Sequence, residues 1–335
     1  MRKIRVGVVG AGGLGYHHVR ILRDMPEAEL VGFHDARPER AAQVASELGV
    51  PAFETLEALL ERVEAATIVV PTPYHFAVAR AALERGTHLL IEKPIAVTLD
   101  EADELLAVAA RTGALVQTGH VERFNRAVRA ALPYVESPRF IESDRLAPFN
   151  PRGADVAVVL DLMIHDIDLV RTFVGGHVRA LSAVGVPVLT PFVDIANARL
   201  EFDSGAVANI TASRVSRERM RKLRIFQSSG YLSLDLAAGT GEYYRMREDV
   251  DLGELAKSAQ SLEAFVERVP LEAPEGEPLR LEFESFLAAV QGRGAVPVTG
   301  ADGREALAVA LRIVAEIERA MPTLAAGTRA AVAGA

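Results

Sequence analysis

The sequence predicts an α/β protein in two parts. The first is a parallel sheet with helices on both faces, and the second an α+β domain built on a mainly antiparallel sheet. Three observations carry this reading. Over about the first 120 residues, short β-rich apolar runs alternate with helical stretches, a pattern that implies parallel strands joined by crossovers. A glycine-rich loop, Gly10 to Gly15, falls between the first strand and the first helix. Beyond about residue 135, strand candidates are separated by turn clusters at hairpin distances, the texture of antiparallel pairing.

In the first part the expected strands are Ile4–Val9, Glu29–His34, Thr67–Val70, His88–Ile91 and Leu115–Gly119. Helices are expected over Leu14–Asp24, Pro38–Leu48, Leu56–Arg62, His75–Glu84 and Leu99–Arg111. Thr98 followed by Glu101 has capping-box spacing and fixes the start of the last helix. Gly86 and Gly113 suit the left-handed positions that close two of them. In the second part a helix, Asp161–Val174, is stopped by Gly175-Gly176. Strands follow at Arg179–Val186, Asp194–Phe202, Ala206–Arg214, Arg219–Phe226 and Tyr231–Leu234, with turns at Asp203-Ser204-Gly205 and Ser228-Ser229-Gly230. A final helix, Arg304–Met321, carries Leu307, Leu311, Val314 and Ile317 at core-facing spacing. The expected division is one domain over 1–121, a second over 122–325, and a frayed Ala/Gly-rich tail over 326–335.

With 335 residues the chain is long enough for two ordinary domains. A formal charge of −8 argues against nucleic-acid or anionic-membrane partners. The absence of cysteine excludes disulfides, thiolate metal sites and thiol catalysis. No His/Asp/Glu grouping has strong metal spacing, so no metal is expected, and the adjacent His17-His18 are assigned to helix packing. The first strand is expected to begin at Ile4, leaving no room for a signal peptide. No apolar run approaches the roughly 20 residues that span a bilayer, so a cytoplasmic location is expected.

Gly10-Ala11-Gly12-Gly13-Leu14-Gly15 matches G-x-G-x-x-G in its strand-to-helix setting. Gly10, Gly12, Gly13, Leu14 and Gly15 are therefore expected to bring backbone against a pyrophosphate at the positive end of the following helix. Asp35, at the end of the second strand, is placed to accept the adenosine ribose hydroxyls. A 2′-phosphate would set like charge against it, which favours NAD over NADP, although Arg37 two residues on could pair with that phosphate. Pro71-Thr72-Pro73 lies at the carboxyl edge of the sheet, where Thr72 and Pro73 could contact cofactor and His75 could serve cofactor or helix.

Glu92-Lys93-Pro94 closes the apolar run Thr87–Ile91. A lysine delivered there can hydrogen-bond a reacting oxygen and stabilise alkoxide character. Burial and the positive charge of a bound nicotinamide should lower its pKa. Glu92 is assigned to orienting the nicotinamide ribose or the lysine. Asp161, His165 and Asp168 fall at i, i+4 and i+7 of an apolar helix, and such a polar stripe costs free energy unless it is paired or used. His165 suits a base that takes the hydroxyl proton as hydride leaves, with Asp161 fixing its tautomer or holding a substrate hydroxyl. Arg145, Arg152 and the cluster Arg214, Arg217, Arg219, Arg221, Lys222 and Arg224 are candidates for a diphosphate or, for the cluster, a solvated strand face or subunit contact.

On Gly10–Gly15, Pro71-Thr72-Pro73 with His75, Glu92-Lys93-Pro94 and Asp161-x-x-x-His165, the chain resembles the Gfo/Idh/MocA family of NAD(P)-dependent oxidoreductases along nearly its whole length. The resemblance implies a Rossmann domain followed by an open-faced sheet domain. It also implies catalysis by Lys93, Asp161 and His165, and homodimers or homotetramers formed through the open sheet. A narrower likeness rests on Gly119-His120-Val121-Glu122-Arg123-Phe124-Asn125, Ser213-Arg214-Val215-Ser216 and Arg221–Phe226. It is to enzymes that oxidise the 3-hydroxyl of UDP-N-acetylglucosamine to a ketone. Arg123 and Asn125 enter the expected substrate set with it, although Arg126 stands where that group usually has proline. A free-sugar or inositol dehydrogenase is the alternative within the class, and a non-catalytic dinucleotide-binding sensor the alternative outside it.

Overall fold

Parallel pairing begins with β1 (Ile4–Val9), which takes β2 (Ala28–His34) on one side and β3 (Ala65–Ile68) on the other. β4 (His88–Glu92) and β5 (Val116–Gly119) extend the sheet beyond β3, giving the order β2-β1-β3-β4-β5 among the residues described. The computed structural model describes residues 2–151, 153, 155–247 and 265–332. β3, β4 and β5 are buried almost throughout, as parallel strands covered by helices on both faces must be. The chain reverses its lateral direction between β1 and β3, and in such sheets a crevice opens there at the carboxyl ends.

Local chemistry sets the helices of this sheet. α1 (Gly13–Arg23) starts within the glycine loop, and α2 (Pro38–Leu48) starts on a proline. α3 (Leu56–Leu60) is capped by Thr55. α4 (His75–Leu83) follows a short 3₁₀ turn at Thr72–Tyr74. α5 (Leu99–Thr112) carries the full Thr98/Glu101 capping box and ends on Gly113 at φ +75°.

The first compact unit comprises Met1–Phe124 and Gly276–Ala308. The second segment is a return that a contiguous division at residue 121 does not contain. It brings the helix Pro278–Val290, whose Phe283, Phe286 and Leu287 join Ile4, Val6, Val19 and Leu22 in one core.

The second unit, Asn125–Glu275 with Val309–Ala335, is built on a sheet ordered β13-β12-β11-β10-β6-β9-β8-β7 among the described residues. Its strands are β6 (Phe140–Leu146), β7 (Val178–Val186), β8 (Ile195–Phe202), β9 (Val207–Ser213), β10 (Met220–Gln227), β11 (Gly230–Asp235), β12 (Thr240–Met246) and β13 (Val266–Leu271). The β6–β9 pair is parallel, and the other described pairs are antiparallel. Burial alternates along β8, where Ala196, Ala198, Leu200 and Phe202 face inward between Asn197, Arg199 and Glu201. On the more open face, Phe140, Phe226, Tyr231 and Tyr244 stack across four strands, with centroids 5.7, 5.4 and 4.7 Å apart.

Three expectations change here. β6, β12, β13 and the helices α6 (Arg126–Ala131) and Pro278–Val290 are additions to the sequence reading. The helix expected over Asp161–Val174 is a π turn, Val159–Met163, leading into α7 (Ile164–Val174), so its two ends do not share one helical period. The last helix runs over Gly300–Val332 and carries the chain through most of the expected tail, consistent with the helix propensity of alanine. Among the described residues no helix is long and apolar enough to cross a membrane.

Candidate active site

The glycine loop has the backbone its sequence demands. Gly10 sits at φ +94°, and a Cβ there would lie 2.8 Å from the Val69 main chain. A Cβ on Gly15 would lie 2.0 Å from the Gly10 carbonyl oxygen. Both positions therefore exclude a side chain, and the loop packs against the segment after β3. At Gly12 the nearest atom to an added Cβ is Arg37 Nη2, at 3.9 Å, so the outer side of the loop is open. Gly12 is also the N-cap of α1 and offers no side-chain acceptor to the first-turn amides of Gly13, Leu14 and Gly15. An uncapped, positively polarised helix end behind an open glycine loop fits a dinucleotide pyrophosphate.

Asp35 follows β2 with its side chain only 6% exposed. Its Oδ2 accepts from Ala11 N at 2.8 Å and from Arg37 Nη2 at 3.2 Å, while Oδ1 accepts from Arg37 N at 3.0 Å and Nε at 3.1 Å. Burial pushes the carboxyl up, but the Arg37 guanidinium and the amides of Arg37 and Ala11 outweigh it and hold it below the ordinary aspartate value. Arg40, which the sequence reading did not single out, donates to the carbonyls of Ala11 at 2.7 Å and Gly12 at 3.3 Å. Two arginines thus flank the end of the loop. An arginine in the first turn of a helix carries no sequence signal for that role.

Pro71 and Pro73 stay at the surface, with Thr72 half-buried between them. His75 is buried, with Nδ1 2.9 Å from Pro94 O and Nε2 2.8 Å from Val70 O. Burial lowers its pKa more than these carbonyls raise it, so the neutral ring is favoured. With one N–H on the neutral ring, His75 donates to one of these carbonyls and packs against the other, between the segment after β3 and the Lys93-Pro94 turn. Lys93 is half-buried at the carboxyl end of β4, and its bond to Pro94 is cis. Glu92 is 8% exposed, and its Oε2 accepts from Lys93 N at 3.3 Å. His18 lies 3.3 Å from the other carboxylate oxygen, a contact that its assignment to helix packing did not foresee. Arg123 donates to Pro297 O at 3.3 Å and lies 3.7 Å from Asp302.

In the second unit the π turn presents Asp161, and the first turn of α7 presents His165, both half-buried. Gly153, at φ +83°, leaves room for the Asp161 carboxylate: a Cβ there would lie 2.6 Å from Oδ2. Asp168 is fully buried, unlike Asp161 and His165, so the three do not form one equally exposed stripe. Arg145, 3% exposed, makes a two-point pair with Asp166 at 2.6 and 3.1 Å, and Ser143 donates to the same carboxylate at 3.0 Å. A substrate role for Arg145 would have to share that pair. Asn125 caps α6 through Oδ1 and donates from Nδ2 to Leu236 O at 2.8 Å.

The basic cluster divides. Arg214 is buried and donates to Asp194, Thr190 and the carbonyls of Gly153 and Val156. Arg224 pairs with Glu142 at 2.6 Å and Lys222 with Asp235 at 3.9 Å, while Arg217 and Arg219 are exposed on the loop before β10. Arg152 lies outside the described residues. Among the described residues no group of three or more His, Cys, Asp or Glu side chains could hold a metal ion.

Residues 4–120 match the Gfo/Idh/MocA oxidoreductase family, NAD-binding Rossmann fold, and residues 126–233 match the Gfo/Idh/MocA C-terminal domain. The chain is 37% identical over 325 residues to the UDP-N-acetylglucosamine 3-dehydrogenase of Acidithiobacillus ferrooxidans, covering 95% of this chain and 98% of that one. The solved structure of that enzyme superposes with a TM-score of 0.86, covering 95% and 99% of the two chains. The scyllo-inositol 2-dehydrogenase (NAD(+)) of Bacillus subtilis is 31% identical over 241 residues, 64% of this chain and 68% of its own. Glycine loop, strand-end lysine, domain order and full-length similarity agree: the chain belongs to the Gfo/Idh/MocA family of NAD(P)-dependent oxidoreductases.

Proposed function

We propose that this protein oxidises a pyranose hydroxyl to a ketone, with the 3-hydroxyl of a nucleotide sugar such as UDP-N-acetylglucosamine as substrate and NAD as acceptor. The observation that carries the reaction type is the delivery of Lys93 at the carboxyl end of β4, in the same sheet whose β1 runs into the open glycine loop. The substrate assignment is supported by the full-length similarity to an enzyme of that name. When bound, NAD supplies the hydride acceptor. Lys93 hydrogen-bonds the reacting oxygen and stabilises its alkoxide character. His165 takes the hydroxyl proton, and Asp161 orients the imidazole or a neighbouring substrate hydroxyl. Arg123, Asn125 and Arg145 are assigned to the substrate side.

In this reading Gly10, Gly12, Gly13, Leu14 and Gly15 hold the pyrophosphate, and Thr72, Pro73, His75 and Glu92 shape the cofactor pocket. Asp35, held ionised, accepts the adenosine ribose hydroxyls and disfavours a 2′-phosphate. Arg37 opposes that choice by neutralising the carboxylate. Replacing Arg37 by Ala is therefore expected to lower the NADP/NAD ratio of kcat/KM by about tenfold, one charge-assisted hydrogen bond's worth. An unchanged ratio would remove Arg37 from the selection. The aromatic row across the open face of the second sheet is assigned to a homodimer or homotetramer contact, which sedimentation of the intact chain tests.

The similarity to an inositol dehydrogenase supports a second reading, oxidation of a free polyol. Titration with UDP-N-acetylglucosamine, glucose and scyllo-inositol while following NADH absorbance separates the two. Reduction with the nucleotide sugar at the highest kcat/KM is expected. Reduction with the free polyols alone would retire the nucleotide-sugar assignment.

A further inference from the structure

His18 is a polar side chain in the core of the first unit, 0% exposed on α1, with its ring edge-on to Phe283 at 5.0 Å. Its Nδ1 is 3.2 Å from Thr67 Oγ1 on β3. Its Nε2 makes no aligned hydrogen bond among the described residues, yet stands 3.3 Å from Oε1 of Glu92 on β4. A proton on Nδ1 would turn the Nε2 lone pair toward a buried carboxylate, which is repulsive at low dielectric. A proton on Nε2 instead faces the carboxylate with a donor and lets the Thr67 hydroxyl donate to Nδ1. The other Glu92 oxygen takes the Lys93 amide at 3.3 Å. Gly119 on β5 makes room for this carboxylate: a Cβ there would lie 2.9 Å from Glu92 Cδ and 3.0 Å from both oxygens. Three elements, α1, β3 and β5, are thus shaped around one side chain, and that side chain precedes Lys93.

We propose that His18 is a positioning residue. Held by Thr67, it keeps the Glu92 carboxylate turned into the core beside the Lys93 backbone amide, and so fixes the strand end that presents the lysine to the substrate oxygen. The kinetic part of this proposal rests on the catalytic reading of Lys93; the placement of Glu92 does not. Without the His18 donor the carboxylate is expected to turn out of the core, where its negative charge near the following lysine favours the ammonium form and slows the chemistry.

The test compares wild type, His18→Leu, His18→Gln and Gly119→Ala, with Lys93→Ala as a control. Each full-length variant is acetylated at pH 8, and Lys93 labelling is measured by peptide mass spectrometry against Lys3 and Lys222. His18→Leu and Gly119→Ala should lower relative Lys93 labelling by about threefold to tenfold. They should lower kcat with UDP-N-acetylglucosamine similarly and leave KM for NAD within about twofold. His18→Gln, which restores a donor of similar reach, should recover both. Gly119→Ala retains the native His18 and carries the test if His18→Leu does not fold. Equal Lys93 labelling in wild type, Gly119→Ala and the folded His18 variants would overturn the proposal, as would failure of glutamine to rescue. Turnover retained by Lys93→Ala would instead sink the catalytic reading, leaving the labelling to judge His18 alone.

Discussion

Lys93→Ala is expected to lower kcat by about 10²–10³-fold while changing NAD affinity by no more than about twofold. The magnitude is that of removing one preorganised donor from a developing oxyanion. Affinity should survive because the elements that fit the pyrophosphate and ribose, the Gly10–Gly15 loop and Asp35, lie on other segments of the sheet. Single-turnover NADH formation together with NAD titration by protein fluorescence or calorimetry reads the two quantities separately. An unchanged rate would remove the lysine from the chemistry. A loss of NAD affinity as large as the loss of rate would make it a binding residue.

The largest stability effect is expected at Asp194 in the second unit. Its side chain is 0% exposed, and its carboxylate accepts from the amides of Val188, Leu189 and Thr190, the Thr190 hydroxyl and Arg214 Nε, all between 2.6 and 2.9 Å. Burial pushes this carboxyl up, but those donors outweigh it and hold it far below the ordinary aspartate range. Asp194→Ala leaves a buried guanidinium and three amides without their acceptor, at a cost of about 3–5 kcal/mol. For a chain of 335 residues that is a fall of about 4–7 °C in Tm. Because the folded pKa is depressed, the stabilisation is complete above the unfolded value of about 4 and is lost as pH falls toward the folded one. Asp194→Asn should therefore flatten the acid side of the stability–pH curve. A variant with wild-type Tm and an unaltered acid limb would show that the clasp contributes nothing net.

Most of the first sheet was readable because its signals are local. The Thr98/Glu101 box, the left-handed Gly86 and Gly113 and the short apolar runs each specify structure within a few residues. The second sheet was less so. β6 turns Ile141, Ser143 and Arg145 inward, so its buried face is two-thirds polar and shows no apolar alternation. β13 carries Pro270, which weakens any strand reading. The helix Pro278–Val290 does show an apolar stripe, but nothing local says that it returns to the first unit's core.

The site divides in the same way. The tight backbone at Gly10 and Gly15 was legible because no side chain fits there, and the position of Asp35 because it directly follows β2. His18 and Arg214 were not, since their roles depend on partners distant in sequence: Thr67 and Glu92 for one, Asp194 and Gly153 for the other. A buried polar side chain is chosen by its neighbours in space, and sequence spacing is blind to them.

The most direct measurement uses UDP-N-acetylglucosamine deuterated at C3 of the sugar, incubated with the intact protein and NAD. The NADH formed should carry the label, gaining one mass unit, and single-turnover rates should fall relative to unlabelled substrate. NADH formed without deuterium would contradict hydride removal from C3, and no NADH at all would contradict the nucleotide-sugar assignment.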